Sequence, residues 1–341
     1  MFKKKIGIYA LTFAMAAMGM TGCSSGSSGN SASELSEVTT QSANNTSSEP
    51  FSVVCTIFPE YDWVREILGD HADNVDISYL LDSGVDLHNY QPTADDIMKI
   101  STCDLFVYVG GESDEWVEDA LAEATNKDMK VINLMDVLGD SAKVEELKEG
   151  MQESEHEHEE GEEEYDEHVW LSLKNAKVLC AEIEKNIEAI DSANAADYKA
   201  NLDSYIAKLS ELDNSFQTLV DGSSVKALVF GDRFPFRYFV DDYGLDYFAA
   251  FIGCSAESEA SFETIMFLSD KINELDCNTV FTLENSNKDI ANAVINNSGK
   301  KSVQIAELNS LQSVSKDDIS NGASYISLMQ KNYDVLAGVM K

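Results

Sequence analysis

The stretch that decides the fold is Ala195 to Val220, AADYKANLDSYIAKLSELDNSFQTLV. Within it Tyr198, Leu202, Tyr205, Leu209, Leu212, Phe216 and Leu219 recur every three or four residues, with no Gly or Pro between them. That period places them along one stripe of a single α-helix. At about 1.5 Å per residue the helix would run roughly 39 Å, a whole domain diameter. A helix of that length reads as a strut between two bodies rather than as part of one.

The chain on either side agrees. Upstream, the apolar runs 51–57, 75–81, 104–109 and 131–135 alternate with amphipathic stretches, the rhythm of a parallel sheet covered by helices. Downstream, 226–231, 246–252, 278–283 and 302–306 repeat the pattern. The expectation is an α/β protein of two lobes, each a mostly parallel four-stranded sheet with flanking helices, joined by one long connecting helix. The boundaries read as 51–190 for the first lobe, 191–221 for the connection and 222–341 for the second lobe. A strut of this kind would restrain large hinge closure. In such folds ligands sit at the carboxyl ends of the strands, here in the cleft between lobes.

Charge removes several classes of partner. With 24 Lys+Arg against 61 Asp+Glu, a net charge of −37, the surface would repel a phosphate backbone at every approach, so a nucleic-acid partner is excluded. A chain that is 44% hydrophobic nevertheless has enough apolar residues to fill its cores. No Gly-x-x-x-x-Gly-Lys string and no His-Glu-x-x-His string is present, so neither nucleotide hydrolysis nor metal-dependent hydrolysis is indicated and the chain is not expected to be an enzyme.

The N-terminus carries its own signal. Residues 1–22 combine a basic start, an apolar stretch too short to span a bilayer and small residues before Cys23. The pattern resembles a bacterial lipoprotein signal, which implies lipid on Cys23 and an extracytoplasmic, membrane-anchored protein. Residues 23–50 are nearly all Ser, Gly, Asn, Thr and Glu, a flexible tether.

Histidine is scarce and clustered. Three of the five His lie in Glu153–His168, ESEHEHEEGEEEYDEH. His156 and His158 among so many carboxylates make a loop suited to collecting divalent cations loosely, though a solvated acidic loop reads the same way. His71 follows a helix end and reads as a surface residue, and Trp116 and Trp170 read as packing residues. Cys55, Cys103 and Cys180 fall in apolar contexts and read as buried thiols. Cys254 and Cys277 border second-lobe strands; they either pair or supply a soft metal ligand.

Two strings, Asp86-Leu87-His88-Asn89-Tyr90-Gln91-Pro92-Thr93 and Asp166-Glu167-His168-Val169-Trp170-Leu171, resemble those of the zinc/manganese solute-binding proteins of bacterial ABC importers. Ile57-Phe58-Pro59-Glu60-Tyr61-Asp62, Asp104 to Tyr108, and Ala323-Ser324-Tyr325 with Leu328, Met329 and Asn332 extend the resemblance over residues 51–341. It implies capture of a divalent metal, Zn²⁺ or alternatively Mn²⁺, between the lobes, and delivery by a monomeric receptor to a permease with its own ATPase subunit. It also implies His88 and His168 as ligands. Two positions depart from the pattern: Gly231 stands where the family has a third His, in Gly231-Asp232-Arg233-Phe234, and Ala323 where it has an acid. The remaining ligands are then sought among Glu284, at the end of a strand, and Asp232, with Glu257 and Glu259 as further acids. The alternatives are a diverged receptor for an anion or metal chelate, and a surface adhesin.

Overall fold

The computed structural model describes residues 50–152, 164–255 and 259–340. The chain runs β1 (Ser52–Cys55), α1 (Phe58–Leu68), β2 (Asp76–Tyr79), α2 (Ala94–Thr102), β3 (Leu105–Tyr108), α3 (Trp116–Ala122), β4 (Lys130–Asn133), α4 (Leu134–Leu138) and α5 (Leu173–Ile190). The connecting helix is α6 (Ala195–Gly222). Then follow β5 (Ala227–Val229), β6 (Arg233–Phe234), α7 (Arg237–Tyr243), β7 (Asp246–Phe248), β8 (Phe251–Ile252), α8 (Phe262–Glu274), β9 (Thr279–Leu283), α9 (Asp289–Ser298), β10 (Gln304–Leu308), α10 (Lys316–Ser320) and α11 (Tyr325–Val339).

In the first lobe β2-β1-β3-β4 form one parallel sheet. Its central strands bury Val53, Val54, Cys55, Leu105, Phe106 and Val107, as expected where helices cover both faces. The second lobe pairs β10 with β9 and β5 with β7, again parallel. A single bridge, Phe230 to Phe281, together with Gly231 N–H donating to Phe281 O at 2.9 Å, joins the pairs into the order β10-β9-β5-β7. The run 246–252, expected as one strand, is two. The chain leaves β5 after Phe248 and re-enters as β8 beside β6, with Ala250 N–H donating to Asp232 O at 3.0 Å at the step.

The strut exists. Helix α6 has 28 residues and buries Tyr198, Leu202, Tyr205, Leu209, Leu212, Phe216 and Val220, so the stripe read from the sequence is its core face except that Val220 replaces Leu219 at the end. It packs on α1 and α5 of the first lobe and on α7 and α11 of the second. At the first-lobe end Asn201 Nδ2 donates to Ile67 O (3.0 Å); at the other, Phe216 meets Phe239 and Tyr333 edge-on at 5.0 and 5.4 Å. Each fully buried Leu or Phe on that stripe contributes about 1.5–3 kcal/mol.

A second tie comes from the C-terminal helix. Tyr325, its first residue, donates its N–H to Asp62 Oδ2 (2.9 Å) and its hydroxyl to Trp170 O (2.6 Å), and packs edge-on against Trp63. The strings quoted above therefore include framework residues as well as site residues. Glu60 Oε2 accepts from the N–H groups of Thr56 and Ile57, fixing the β1–α1 turn. Thr93 and Asp96 form a capping box that starts α2, and Tyr90 donates to the same Asp96 carboxylate at 3.0 Å.

Candidate metal centre

Two first-lobe loops bring the paired histidines together. His88 sits in the tight turn Leu87–Asn89 after β2, where Asp86 caps the turn by accepting the His88 N–H at 3.1 Å. His168 precedes the turn Val169–Leu171, and Asp166 Oδ1 accepts from both its backbone N–H (2.8 Å) and its Nδ1 (3.0 Å). The His88 Nδ1 lies 2.8 Å from Ser113 Oγ and 3.5 Å from Glu167 Oε2. Both rings thus turn Nδ1 toward oxygen partners and present Nε2 to each other, at 3.3 Å.

That arrangement suits a bridging cation. With Nδ1 as the donor on each ring, both Nε2 atoms offer lone pairs to an ion between them; without one, His168 Nε2 carries a proton when it donates toward the Gln312 side-chain oxygen. Burial first, and His168 second, push the His88 imidazole down to about 3. Its neutral form is the metal-binding form.

The second lobe closes the site. Gly253 follows β8 and backs directly onto the His168 ring: a Cβ there would meet His168 Cε1 at 2.9 Å, Nδ1 at 3.0 Å and Phe234 O at 3.0 Å. Next along the chain is Cys254, whose Sγ lies with a nitrogen of His88 and one of His168 inside a group spanning no more than 4.8 Å. Among the described residues no other set of three His, Cys, Asp or Glu side chains converges this way. The thiol is pushed well above its ordinary range by burial and then by the Glu145, Glu167 and Asp166 carboxylates. Cys254 and Cys277 are both free, so the pairing considered from sequence is not formed.

Asp232 and Glu284 stand elsewhere. Asp232 accepts from the N–H groups of Arg233 (2.9 Å) and Leu283 (3.2 Å), pinning β6 to the end of β9. Glu284 accepts from Ser310 N–H (2.7 Å) and Ser310 Oγ (2.6 Å), one oxygen each. Neither carboxylate joins the His88–His168–Cys254 group, because each is drawn to donors that hold the second-lobe loops in place. Glu259 is exposed. His156, His158, Glu257 and Cys23 lie outside the described residues.

Sequence reasoning missed Gln312, which is fully buried. With its amide oriented to satisfy both ends, its nitrogen donates to both oxygens of Asp86 at 2.9 Å and its oxygen lies 2.5 Å from His168 Nε2. Arg233 pairs with the same Asp86. Burial raises the Asp86 carboxyl, but the Arg233 guanidinium, the His88 ring and the hydrogen bonds from Arg233 and the His88 N–H together outweigh it and hold the group below the usual carboxylate range. A first-lobe acid beside His88 is thereby locked to two second-lobe side chains. No motif signals this, because the three residues are far apart in sequence and single Arg, Asp and Gln residues carry no pattern.

The stem of the acidic loop docks at the same place. Val144 and Tyr165 form an antiparallel bridge, Glu145 Oε1 accepts the Cys254 N–H at 3.1 Å, and Gln152 N–H donates to Ala250 O at 3.0 Å. Trp170 and Trp116 pack as expected: Trp170 is fully buried and donates to Ser310 O (2.8 Å), and Trp116 lies edge-on to Tyr90. His71, half-buried, pairs with Asp197 at 3.0 Å.

Comparison with known proteins bears on the family and the fold. The family model described as "Zinc-uptake complex component A periplasmic" matches residues 53–339. The zinc-binding lipoprotein AdcA of Streptococcus pneumoniae is 30% identical over 289 residues, covering 84% of this chain but 55% of AdcA, so the chain spans about half the length of that relative. The high-affinity zinc uptake system protein ZnuA of Bacillus subtilis is 28% identical over 305 residues, covering 87% of this chain and 90% of ZnuA. The crystal structure of the Zn(II)-bound ZnuA-like domain of S. pneumoniae AdcA superposes with a TM-score of 0.66 at 26% identity, covering 85% of this chain and 99% of that domain.

Proposed function

The chain belongs to the family of periplasmic component A proteins of zinc-uptake complexes, and on that premise we propose that it captures Zn²⁺ at His88 and His168 between its lobes and hands the ion to a membrane permease driven by a separate ATPase. The family is a transport component, not an enzyme. No helix among the described residues is long and apolar enough to cross a membrane, so passage and energy belong to the partners. Lipid on Cys23 and the 23–50 tether keep a monomeric receptor at the outer face of the membrane, within reach of the permease. His156 and His158 raise the local cation concentration at the cleft.

The observation that carries this reading is the pair of Nε2 atoms 3.3 Å apart, each ring oriented through Nδ1 by an oxygen partner. Metal-binding imidazoles are held in this way, the outer hydrogen bond fixing tautomer and direction. The diverged-receptor alternative, capture of an anion, is disfavoured because the two arginines beside Gly231 are already paired, Arg233 with Asp86 and Arg237 with Glu146 and Asp241. Zn²⁺ titration of the mature protein against a competing chelator tests the reading: the native chain binds one ion tightly, and the His88→Ala, His168→Ala double variant loses that binding while remaining folded by circular dichroism. Equal zinc affinity in the two proteins would overturn it.

A further inference from the structure

Two imidazoles are half of a tight zinc site, and the positions where the family pattern would place further ligands do not supply them. Gly231 is sealed: a Cβ there would meet Ala291 Cα at 2.5 Å and Ala291 N at 2.8 Å, so the start of α9 occupies the space a side chain would need. Ala323 has no ligating atom. Asp232 and Glu284 have their oxygens engaged by backbone and hydroxyl donors. What the second lobe does present to the two histidines is the sulfur of Cys254, within the same 4.8 Å group.

We propose that Cys254 is the third zinc ligand, making this a His₂Cys receptor in which a soft sulfur from the second lobe replaces the family's third imidazole. The inference rests on the zinc-capture reading and specifies its chemistry. Gly253 is what makes it possible. With no side chain it leaves room for the Cε1–Nδ1 edge of the His168 ring, and the next residue, Cys254, is thereby brought into one group with His88 and His168. Glu145, accepting the Cys254 N–H, anchors that turn to the stem of the acidic loop.

Two consequences follow from donor type. A thiolate favours Zn²⁺ strongly over Mn²⁺, which prefers carboxylate and water oxygen, so the substrate class is borderline-to-soft divalent cations and Mn²⁺ is a poor cargo. Coordination also joins the lobes directly, since the histidines belong to one and the sulfur to the other.

The test uses Co²⁺ as a spectroscopic probe together with Zn²⁺ and Mn²⁺ competition, on the native chain, Cys254→Ser, and Cys277→Ser as a control thiol outside the site. Native protein and C277S should show a thiolate-to-cobalt charge-transfer band that saturates at one equivalent, and C254S should lack it. C254S should lose zinc affinity by about 100-fold or more, beyond the 10–100-fold typical of an outer-shell change, and its preference for Zn²⁺ over Mn²⁺ should narrow. Bound zinc should shield Cys254, mapped by mass spectrometry, from alkylation in the native chain. If the native chain binds zinc through its histidines while C254S binds equally well and the cobalt spectrum carries no sulfur band, the Cys254 assignment is wrong and the capture reading stands. If the native chain binds no zinc, the capture reading itself fails. A melting temperature of C254S equal to that of metal-free native protein separates ligand loss from misfolding.

Discussion

Restoring a histidine at position 231 tests how this site was built. In sequence terms Gly231→His would simply complete the family pattern. In the structure it cannot, because the atoms against which a Cβ would press are Ala291 Cα and N at 2.5 and 2.8 Å, backbone atoms in the first turn of α9. No change of rotamer moves them. Relief requires α9 to shift away from the β5–β9 junction, where Gly231 N–H donates to Phe281 O, and to loosen the small core of Val229, Val280, Ala291 and Val294. Overpacking of this kind costs about 1–3 kcal/mol, and the backbone collision places even Gly231→Ala toward the upper end. At about 2 °C per kcal/mol for a body of this size, G231A should melt roughly 4–6 °C below the native chain by calorimetry. G231H should melt at least as low and bind zinc no more tightly. Native-like melting of both variants, or tighter zinc binding by G231H, would refute the claim that α9 has closed this position.

The remaining predictions concern other parts of the frame. Asp166→Asn keeps an oxygen for the His168 backbone N–H but removes the carboxylate that orients Nδ1; zinc affinity should fall about 10–100-fold in chelator competition with little change in melting temperature. Leu209→Ala, in the fully buried stripe of α6, should destabilise the protein by about 2–5 kcal/mol in denaturant titration, and a loss under 1 kcal/mol would contradict the strut's role as shared core. Burial raises the Asp62 carboxyl to about 7, the Tyr325 N–H only partly offsetting it. The fold therefore holds a proton there that the unfolded chain releases near pH 4, and the stability this group contributes is present at low pH and lost as pH rises toward 7. Asp62→Asn should flatten that part of the stability–pH curve and leave the variant about 1 kcal/mol or more stabler than native at pH 8; Glu60, Asp114 and Glu167, raised by the same cause, keep some slope. An unchanged slope would count against the assignment.

The long-range plan was legible because it is written in periodicity. A stripe of apolar residues at helical spacing specifies α6 without reference to anything else, and two sets of apolar runs specify two parallel sheets. His88 and His168 were legible for a different reason: each lies in a string whose other members have local jobs, Asp86 and Asp166 capping their own turns and Thr93 starting α2, so that the whole string stays contiguous. Cys254 was legible only as one of two second-lobe cysteines that either pair or offer a soft ligand; which of the two approaches the histidines was not. Cys254 comes from a short turn after a two-residue strand, and only the approach of Gly253 to His168, a tertiary contact, brings it to the site. The same limit explains Glu284 and Asp232. Position at a strand end suggests a ligand, but whether a carboxylate faces the cleft depends on which N–H and hydroxyl donors compete for it, and here Ser310, Arg233 and Leu283 win. The division of 246–252 into β7 and β8 depends likewise on which neighbours each half finds.

The most direct test of the central claim is a crystal structure of the zinc-loaded protein with anomalous data collected on either side of the zinc edge. The account predicts one strong peak between His88 Nε2 and His168 Nε2, at about 2.0–2.1 Å from each nitrogen and about 2.3 Å from Cys254 Sγ. A peak bound by Asp232 or Glu284 instead, or no ordered zinc in the cleft, would contradict it.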